Sequence, residues 1–155
     1  MRLSTRARYA VMAMAELAAR ARGDRGERPL SLAEIAAAQG LSVAYLEQLF
    51  LRLRRAELVT SARGPGGGYR LARPAEAIRL SQIVDGVDEP IHATRCEDGG
   101  PGCLAGQRCR THDLWAELGD QIRLFLDRIT LADVVSDRVR GRAAPPRPFL
   151  APAAE

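Results

Sequence analysis

Apolar side chains recur at helical spacing near the beginning of the chain. Between residues 10 and 21 they form a single stripe, made of Ala10, Met14, Leu17, Ala18 and Ala21. Residues spaced three and four apart share one face of an α-helix, so this stripe predicts a first helix with one buried face.

A second, shorter helix is predicted between two capping signals. Ser31 can cap its amino terminus and Glu34, three residues later, can reach back to the cap, which is the capping-box pattern. Gly40 is the type of residue that ends a helix, because glycine adopts the left-handed conformation at little cost. The segment between these signals therefore predicts a helix of about two turns.

A third helix is predicted to begin behind Ser42. Its core-facing positions are Leu46, Leu49, Phe50 and Leu53. The opposite face carries Ala44, Gln48, Leu51 and Arg55, with Glu47 and Arg52 at its flanks. Two short helices joined by a tight turn behind a longer helix favour a helix-turn-helix, whose second helix can enter a major groove. Three amphipathic helices also make an ordinary bundle, and the segment that follows separates the two interpretations.

After Glu57 the period of the pattern falls to two. The segments LVTSA and YRLAR surround the loop RGPGGG, which predicts a β-hairpin with Arg63 at its tip. A hairpin directly behind a helix-turn-helix is a wing, and an arginine there can enter a minor groove. The glycines could instead cradle a nucleotide, but the chain has no lysine for a Walker A loop and no helix is predicted after the loop. The hairpin therefore favours a winged helix-turn-helix.

Charge is divided unevenly along the chain, whose net charge is +4. Residues 1–80 contain fourteen arginines and seven acidic residues, whereas residues 81–155 contain nine arginines and twelve acidic residues. The basic first half favours a polyanionic partner such as double-stranded DNA, and an arginine-rich solvated surface is the alternative.

The lengths of the apolar runs also indicate where in the cell the protein is expected. None approaches the roughly 20 residues of a membrane span, and the first residues, MRLSTRARYA, lack the apolar stretch of a signal peptide. We expect a cytoplasmic protein without a membrane partner. We also expect no enzyme, because no nucleophile and base form a recognisable set.

All three cysteines lie in one glycine-rich segment, RCEDGGPGCLAGQRCRTH. Six residues separate Cys96 from Cys103, five separate Cys103 from Cys109, and two separate Cys109 from His112. Cytoplasmic thiols stay reduced and three is an odd number, so metal binding or redox chemistry is favoured over disulfides. Structural zinc sites usually draw their ligands in close CxxC pairs, which are absent here. Three thiolates and an imidazole suit a [2Fe-2S] cluster, which accepts histidine in place of cysteine.

Two alternatives to a cluster remain open for this segment. The same side chains can hold a structural zinc, or the three cysteines can be free and His112 a surface residue. His92 is a reserve ligand near Cys96.

Beyond the cysteines, the apolar residues advance by three and four. They are Trp115, Leu118, Ile122, Phe125 and Ile129, and they predict a long helix that pairs with a second copy of the chain or packs against its own domain. TLADVVSDRV predicts a short terminal helix, and a proline- and alanine-rich tail is expected to be disordered. We therefore divide the chain into a DNA-binding domain (1–88), a cluster-binding loop (89–112), a dimerisation and terminal helix segment (113–140) and a tail (141–155).

Four motifs together resemble the IscR family of iron-sulfur cluster-binding transcriptional regulators, from Met1 to about Val139. They are MRLSTRARYAV, LSVAYLEQLFLRLR, RGPGGGYRL, and the stretch from ATRCEDGG through CRTHDLW. The resemblance implies a mainly α, winged-helix homodimer that receives a [2Fe-2S] cluster from the cluster assembly machinery and controls the genes for that machinery. The ligands it implies are Cys96, Cys103, Cys109 and His112.

The resemblance also implies which residues bind DNA. They are Ala44, Tyr45, Glu47, Gln48 and Arg63. In the family, the acid equivalent to Glu47 is thought to keep the cluster-free form off one class of operator. Two features depart from the family: the first gap between ligands is one residue longer, and Leu51 replaces a small polar residue. The rival functions are a constitutive repressor with a structural zinc in the same loop and an iron-sulfur electron-transfer protein.

Overall fold

The computed structural model describes residues 5–21, 28–88 and 108–141. Its elements are α1 (Thr5–Ala21), α2 (Leu32–Gln39), α3 (Val43–Arg55), β1 (Val59–Ala62), β2 (Gly68–Leu71), α4 (Leu80–Gly86), α5 (His112–Arg128) and α6 (Leu131–Val135). This is the predicted architecture, mainly helical with a small hairpin behind a helix-turn-helix. None of the helices within the described ranges is both long and apolar enough to cross a bilayer. The predicted tail falls outside the described residues from position 142 onward.

Helix α1 packs against five elements, α2, α3, α4, α6 and β2. Its buried residues are Ala7, Ala10, Ala13, Met14, Leu17 and Ala18. The predicted stripe is confirmed except at Ala21, which is exposed at the end of the helix. Small alanine side chains on this face let the neighbouring helices approach closely, so the helix-turn-helix packs tightly against α1.

The helix-turn-helix forms where the capping signals predict it. The backbone N–H of Glu34 donates to Ser31 Oγ at 3.3 Å, and the backbone N–H of Ser31 donates to Glu34 Oε2 at 2.9 Å. Gly40 ends α2 in the left-handed conformation, with φ of 64° and ψ of 36°. The buried residues of α3 are Leu46, Leu49, Phe50 and Leu53, which confirms the predicted core-facing set.

The hairpin is fastened to the body of the domain by a third segment. Strands β1 and β2 pair antiparallel, with Val59 opposite Leu71. Leu30 then forms a bridge with Tyr69, in which the two backbone N–H groups donate to the partner's carbonyl oxygens at 2.9 and 2.8 Å. The Tyr69 ring also packs on Phe50 of α3, with ring centroids 4.7 Å apart. The wing is therefore held against α3 and against the segment that leads into α2.

The chain returns to the core at the end of α5. Leu80 N–H donates to the carbonyl of Ile129 at 3.0 Å, and Leu131 N–H donates to that of Ile78 at 2.8 Å. Ile129 and Leu131 are fully buried in the same core as α1. The prediction that Ile129 continues the apolar seam of the long helix is wrong, because α5 ends at Arg128 and Ile129 adopts an extended conformation that turns its side chain into the core. The following helix, α6, packs on α1.

Polar contacts fix the base of α5 to α4. Ser81, which is buried, donates its hydroxyl to Asp127 Oδ1 at 2.8 Å, and Arg79 Nη1 donates to Asp127 Oδ2 at 2.6 Å. The Ser81 hydroxyl, and after it the Arg79 charge, hold the pKa of Asp127 below its usual value. Arg123 forms a two-pronged ion pair with Asp85, at 3.1 and 3.0 Å. Helix α5 is thus attached firmly at its carboxyl end.

Candidate nucleic-acid interface and metal ligands

The exposed face of α3 carries most of the residues predicted to contact DNA. Ala44, Glu47 and Gln48 are all exposed, within the first two turns of the helix. Tyr45 is placed differently, because it is half-buried and its ring meets that of Tyr9 edge-on at 5.8 Å between centroids. The first three side chains can therefore reach a groove directly, whereas Tyr45 braces α3 against α1.

Two exposed apolar residues of α3 were absent from the predicted DNA-binding set. Val43, the first residue of the helix, is 41% exposed, and Leu51 is 42% exposed. The exposure of Leu51 agrees with its predicted place opposite the core-facing residues. The exposure of Val43 was not predictable from spacing, because it precedes Leu46 by three residues and is exposed as the first residue of the helix. Apolar side chains are consequently part of the surface that α3 presents.

Arginines without an acidic partner flank this face. Arg54 and Arg55, in the last turn of α3, are exposed, and the described part of the chain offers them no ion pair. Arg63 and Arg70 of the wing are likewise exposed and, within the described ranges, unpaired. Arg52 differs, since its guanidinium pairs with Asp88. Arg70 lies beside the carboxyl end of α1, where it lines a pocket with Arg20 and Arg28. The other three arginines, Arg54, Arg55 and Arg63, have no acidic partner in the described residues and suit phosphate binding around a groove.

Glu47 is the single acid of α3 and lies among these cations. It is exposed, and no ion pair joins it to Arg54 or Arg55 in the described residues. A carboxylate here repels phosphates and base acceptors, and it can accept a hydrogen bond only from a donor such as the cytosine amino group.

Arg63 lies where the wing turns, directly after β1. The tip is closed by a hydrogen bond from the backbone N–H of Gly67 to the carbonyl of Gly64 at 2.9 Å. The exposed guanidinium stands on a hairpin that the Leu30–Tyr69 bridge fastens close to this turn. This placement suits entry into a groove beside the one that α3 would occupy.

Two of the four predicted metal ligands lie at the start of α5. Cys109 is half-buried, with its Sγ 3.4 Å from Thr111 Oγ1, and His112 is buried with 6% of its surface exposed. The backbone N–H of His112 donates to the carbonyl of Cys109 at 3.1 Å, so the two residues share one turn. Cys96 and Cys103, together with the reserve ligand His92, lie outside the described residues.

The described donor pair fits a cluster or a zinc ion. A thiol and an imidazole are ligands of both, and Cys109 and His112 lie on one turn where the glycine-rich segment joins a helix. In residues 5–21, 28–88 and 108–141, no group of three or more His, Cys, Asp or Glu side chains is arranged to hold a metal. The described structure therefore contains half of the predicted ligand set.

Helix α5 exposes apolar side chains in the single chain. Leu114, Trp115 and Leu124 are 60%, 37% and 48% exposed. Two members of the predicted seam, Leu118 and Ile122, are half-buried, while Phe125 packs partly against the domain's own core. The amino-terminal half of α5 thus carries an apolar surface that nothing in the described chain covers.

Comparison with known proteins agrees with this arrangement. A sequence profile of the Rrf2 family, described as iron-dependent transcriptional regulators, matches residues 3–137. The HTH-type transcriptional regulator IscR of Sodalis glossinidius is 50% identical over 137 residues, which cover 88% of this chain and 80% of that protein.

Two solved structures are similar to the whole fold. T. potens IscR has a TM-score of 0.70 and 37% identity, covering 94% of each chain. CymR, the global cysteine regulator of B. subtilis, has a TM-score of 0.72 and 36% identity, covering 88% of this chain and 98% of its own. These relatives are transcriptional regulators and not enzymes. A winged helix-turn-helix with an exposed, arginine-flanked recognition helix accounts for that role, and the chain belongs to the Rrf2 family of DNA-binding transcriptional regulators.

Proposed function

We propose that this protein is a homodimeric transcriptional regulator that senses iron-sulfur cluster status through a bound [2Fe-2S] cluster and controls the genes for cluster assembly. It receives the cluster from the assembly machinery in the cytoplasm, where its DNA partner is. The observation that carries the proposal is the pairing of Cys109 with the buried His112 on one turn at the start of α5.

The residues that would hold the cluster are Cys96, Cys103, Cys109 and His112. Three thiolates and one imidazole would complete the coordination of the two irons, and the bound cluster would supply a redox-active centre. Burial of His112 supports a ligand role better than a surface role, because an imidazole enclosed at a helix start is already oriented. The similarity to regulators named IscR supports iron-sulfur binding over a structural zinc.

Dimerisation through α5 is supported by its uncovered apolar residues. Leu114, Leu118 and Ile122 follow one another at four-residue spacing, and Trp115 lies beside them. A symmetric partner that presents the same stripe would bury what remains exposed of these side chains, a fraction of the roughly 1.5–3 kcal/mol that burying each from full exposure contributes.

Helix α4 offers a physical link between the cluster segment and DNA binding. Asp85 pairs with Arg123 of α5, whereas Asp88, the last described residue before the glycine-rich segment, pairs with Arg52 of α3. The guanidinium of Arg6 in α1 also donates to the backbone carbonyl of Asp88 at 3.4 Å. If cluster binding moves Asp88, it breaks or strengthens the ion pair with Arg52 of α3. The affinity of α3 for DNA then depends on whether the cluster is bound.

The decisive experiment is purification without oxygen. We expect visible charge-transfer absorption and about two irons and two acid-labile sulfides per chain. A colourless protein that holds zinc would contradict the proposal and favour the constitutive repressor. A cluster whose removal leaves the affinity for every DNA unchanged would contradict the sensing role.

Three single variants sharpen this experiment. Cys109→Ala and His112→Ala should each remove the cluster, while His92→Ala, the matched control, should retain it. The cluster-free variants should remain helical dimers by circular dichroism and size-exclusion chromatography, since the core of α1, α3 and α6 lies elsewhere. Loss of helical signal in Cys109→Ala would show instead that the segment is needed for folding.

A further inference from the structure

Val43 is an exposed branched apolar side chain at the leading end of the recognition helix. It is the first residue of α3 and is 41% exposed, and its neighbour Ala44 is exposed too. The capping residue Ser42 makes no side-chain cap hydrogen bond there, so Val43 is exposed beside the polar backbone groups of the helix start. The exposed part of the valine gains nothing for the fold of the single chain.

The first turns of α3 contain no cation. The sequence from Val43 to Phe50 is VAYLEQLF, and the arginines of the helix all come later, at Arg52, Arg54 and Arg55. Guanine is read chiefly by arginine or lysine, so this end of the helix is not equipped for it. Thymine is the one DNA base that places a methyl group in the major groove, and apolar side chains contact that group.

The amino-terminal residues of a recognition helix are the ones that meet base edges. We propose that Val43 is a specificity-determining residue that contacts the 5-methyl group of a thymine in the operator. This proposal deepens the proposed function and rests only on its DNA-binding part, not on the cluster. Exposed arginines, Arg54 and Arg55 behind and Arg63 on the wing, would hold the phosphates while Val43 faces the bases.

Leu51 supplies a matched control on the same helix. It is 42% exposed, almost the same as Val43, but lies eight residues further along. At 1.5 Å per residue this is roughly 12 Å along the helix axis, more than three base-pair steps away from the end that meets the bases. Removing either side chain takes away a similar amount of exposed apolar surface, so general effects on solubility or packing cancel.

The test uses a duplex that the wild-type protein selects from a random-sequence library. Each thymine is replaced singly by deoxyuridine, which removes the methyl group and leaves the hydrogen-bonding edge intact. For wild type, we expect one position at which the substitution weakens binding about fourfold, which is what burying one methyl group contributes. In Val43→Ala the loss at that position should fall below about twofold. Val43→Thr, which keeps the branched shape and one methyl, should lie between. Leu51→Ala should keep the full wild-type loss at that position, whatever its effect on the affinity for the unmodified duplex.

Three results would overturn the assignment. Wild-type binding that is insensitive to deoxyuridine everywhere means that no methyl group is read. An unchanged sensitivity in Val43→Ala, or its loss in Leu51→Ala, assigns the contact to another residue. If no sequence is enriched from the library, both sequence-specific DNA binding and the Val43 contact are contradicted. The other two results contradict the Val43 contact alone.

Discussion

Replacement of Gly68 by alanine should detach the wing from the helix-turn-helix. A Cβ added at Gly68 would lie 2.4 Å from the carbonyl oxygen of Leu30, 2.5 Å from its carbonyl carbon and 2.8 Å from the nitrogen of Ser31. All three are backbone atoms, so no flexible side chain can move aside. The φ of Gly68 is +156°, which L side chains rarely adopt. The alanine can be accommodated only if the strand moves away from Leu30.

The cost follows from what this movement breaks. Two hydrogen bonds join Leu30 and Tyr69, and each contributes about 0.5–1.5 kcal/mol net. Backbone strain at the substituted residue adds about 1–3 kcal/mol. We therefore expect Gly68→Ala to lower the free energy of unfolding by roughly 2–6 kcal/mol, a large part of the 5–15 kcal/mol typical of a domain.

The matched control is Gly66→Ala in the same loop. Gly66 has a φ of +76° but no atom within 4 Å of an added Cβ, so only the left-handed conformation costs energy, about 1–2 kcal/mol. Urea unfolding of wild type and both variants measures the difference. Hydrogen exchange at the Leu30 and Tyr69 amides then tests the mechanism, because both should lose protection in Gly68→Ala alone. Equal destabilisation of the two variants, or amides that stay protected in Gly68→Ala, would refute the reasoning.

Three further predictions follow from the site and from the α2 cap. Arg63→Ala should weaken binding most at operators with a narrow A·T-rich minor groove, by about 1–3 kcal/mol, and an equal loss on all DNA would make Arg63 a phosphate contact. Glu47→Ala should let cluster-free protein bind operators that the cluster-free wild type rejects. A uniform change in affinity across all DNA at one fixed salt concentration would contradict this role of Glu47. The backbone N–H of Ser31, followed by the Arg28 side chain, lowers the pKa of Glu34 from 4.5 to about 2. Because the folded pKa is the lower one, Glu34 stabilises the fold above about pH 4.5 and loses that contribution towards pH 2. Glu34→Gln should therefore show a shallower fall in unfolding free energy over that range than wild type, and identical pH slopes would count against the ion pair and cap.

Much of the exposed face of α3 was predictable from short-range patterns. The period of the apolar residues gave the buried face of α3, and the residues left over, Ala44, Glu47 and Gln48, are those that the structure exposes. Tyr45 could not be placed in this way, because its position against Tyr9 depends on how α1 crosses α3. Likewise, spacing alone brings Cys109 close to His112, but the burial of the imidazole depends on packing around the start of α5.

The chain by itself determined the elements whose signals lie within a few residues of one another. The Ser31–Glu34 capping box, the turn at Gly40 and the wing hairpin form where they were predicted, because the hydrogen bonds that define them are local. Tertiary structure alone decided the Leu30–Tyr69 bridge and the burial of Ile129. These contacts join segments about 40 and 50 residues apart, and no periodic pattern in the sequence reports on such distant pairs. They form because a free strand edge and an apolar side chain each gain a partner only when the helices have packed.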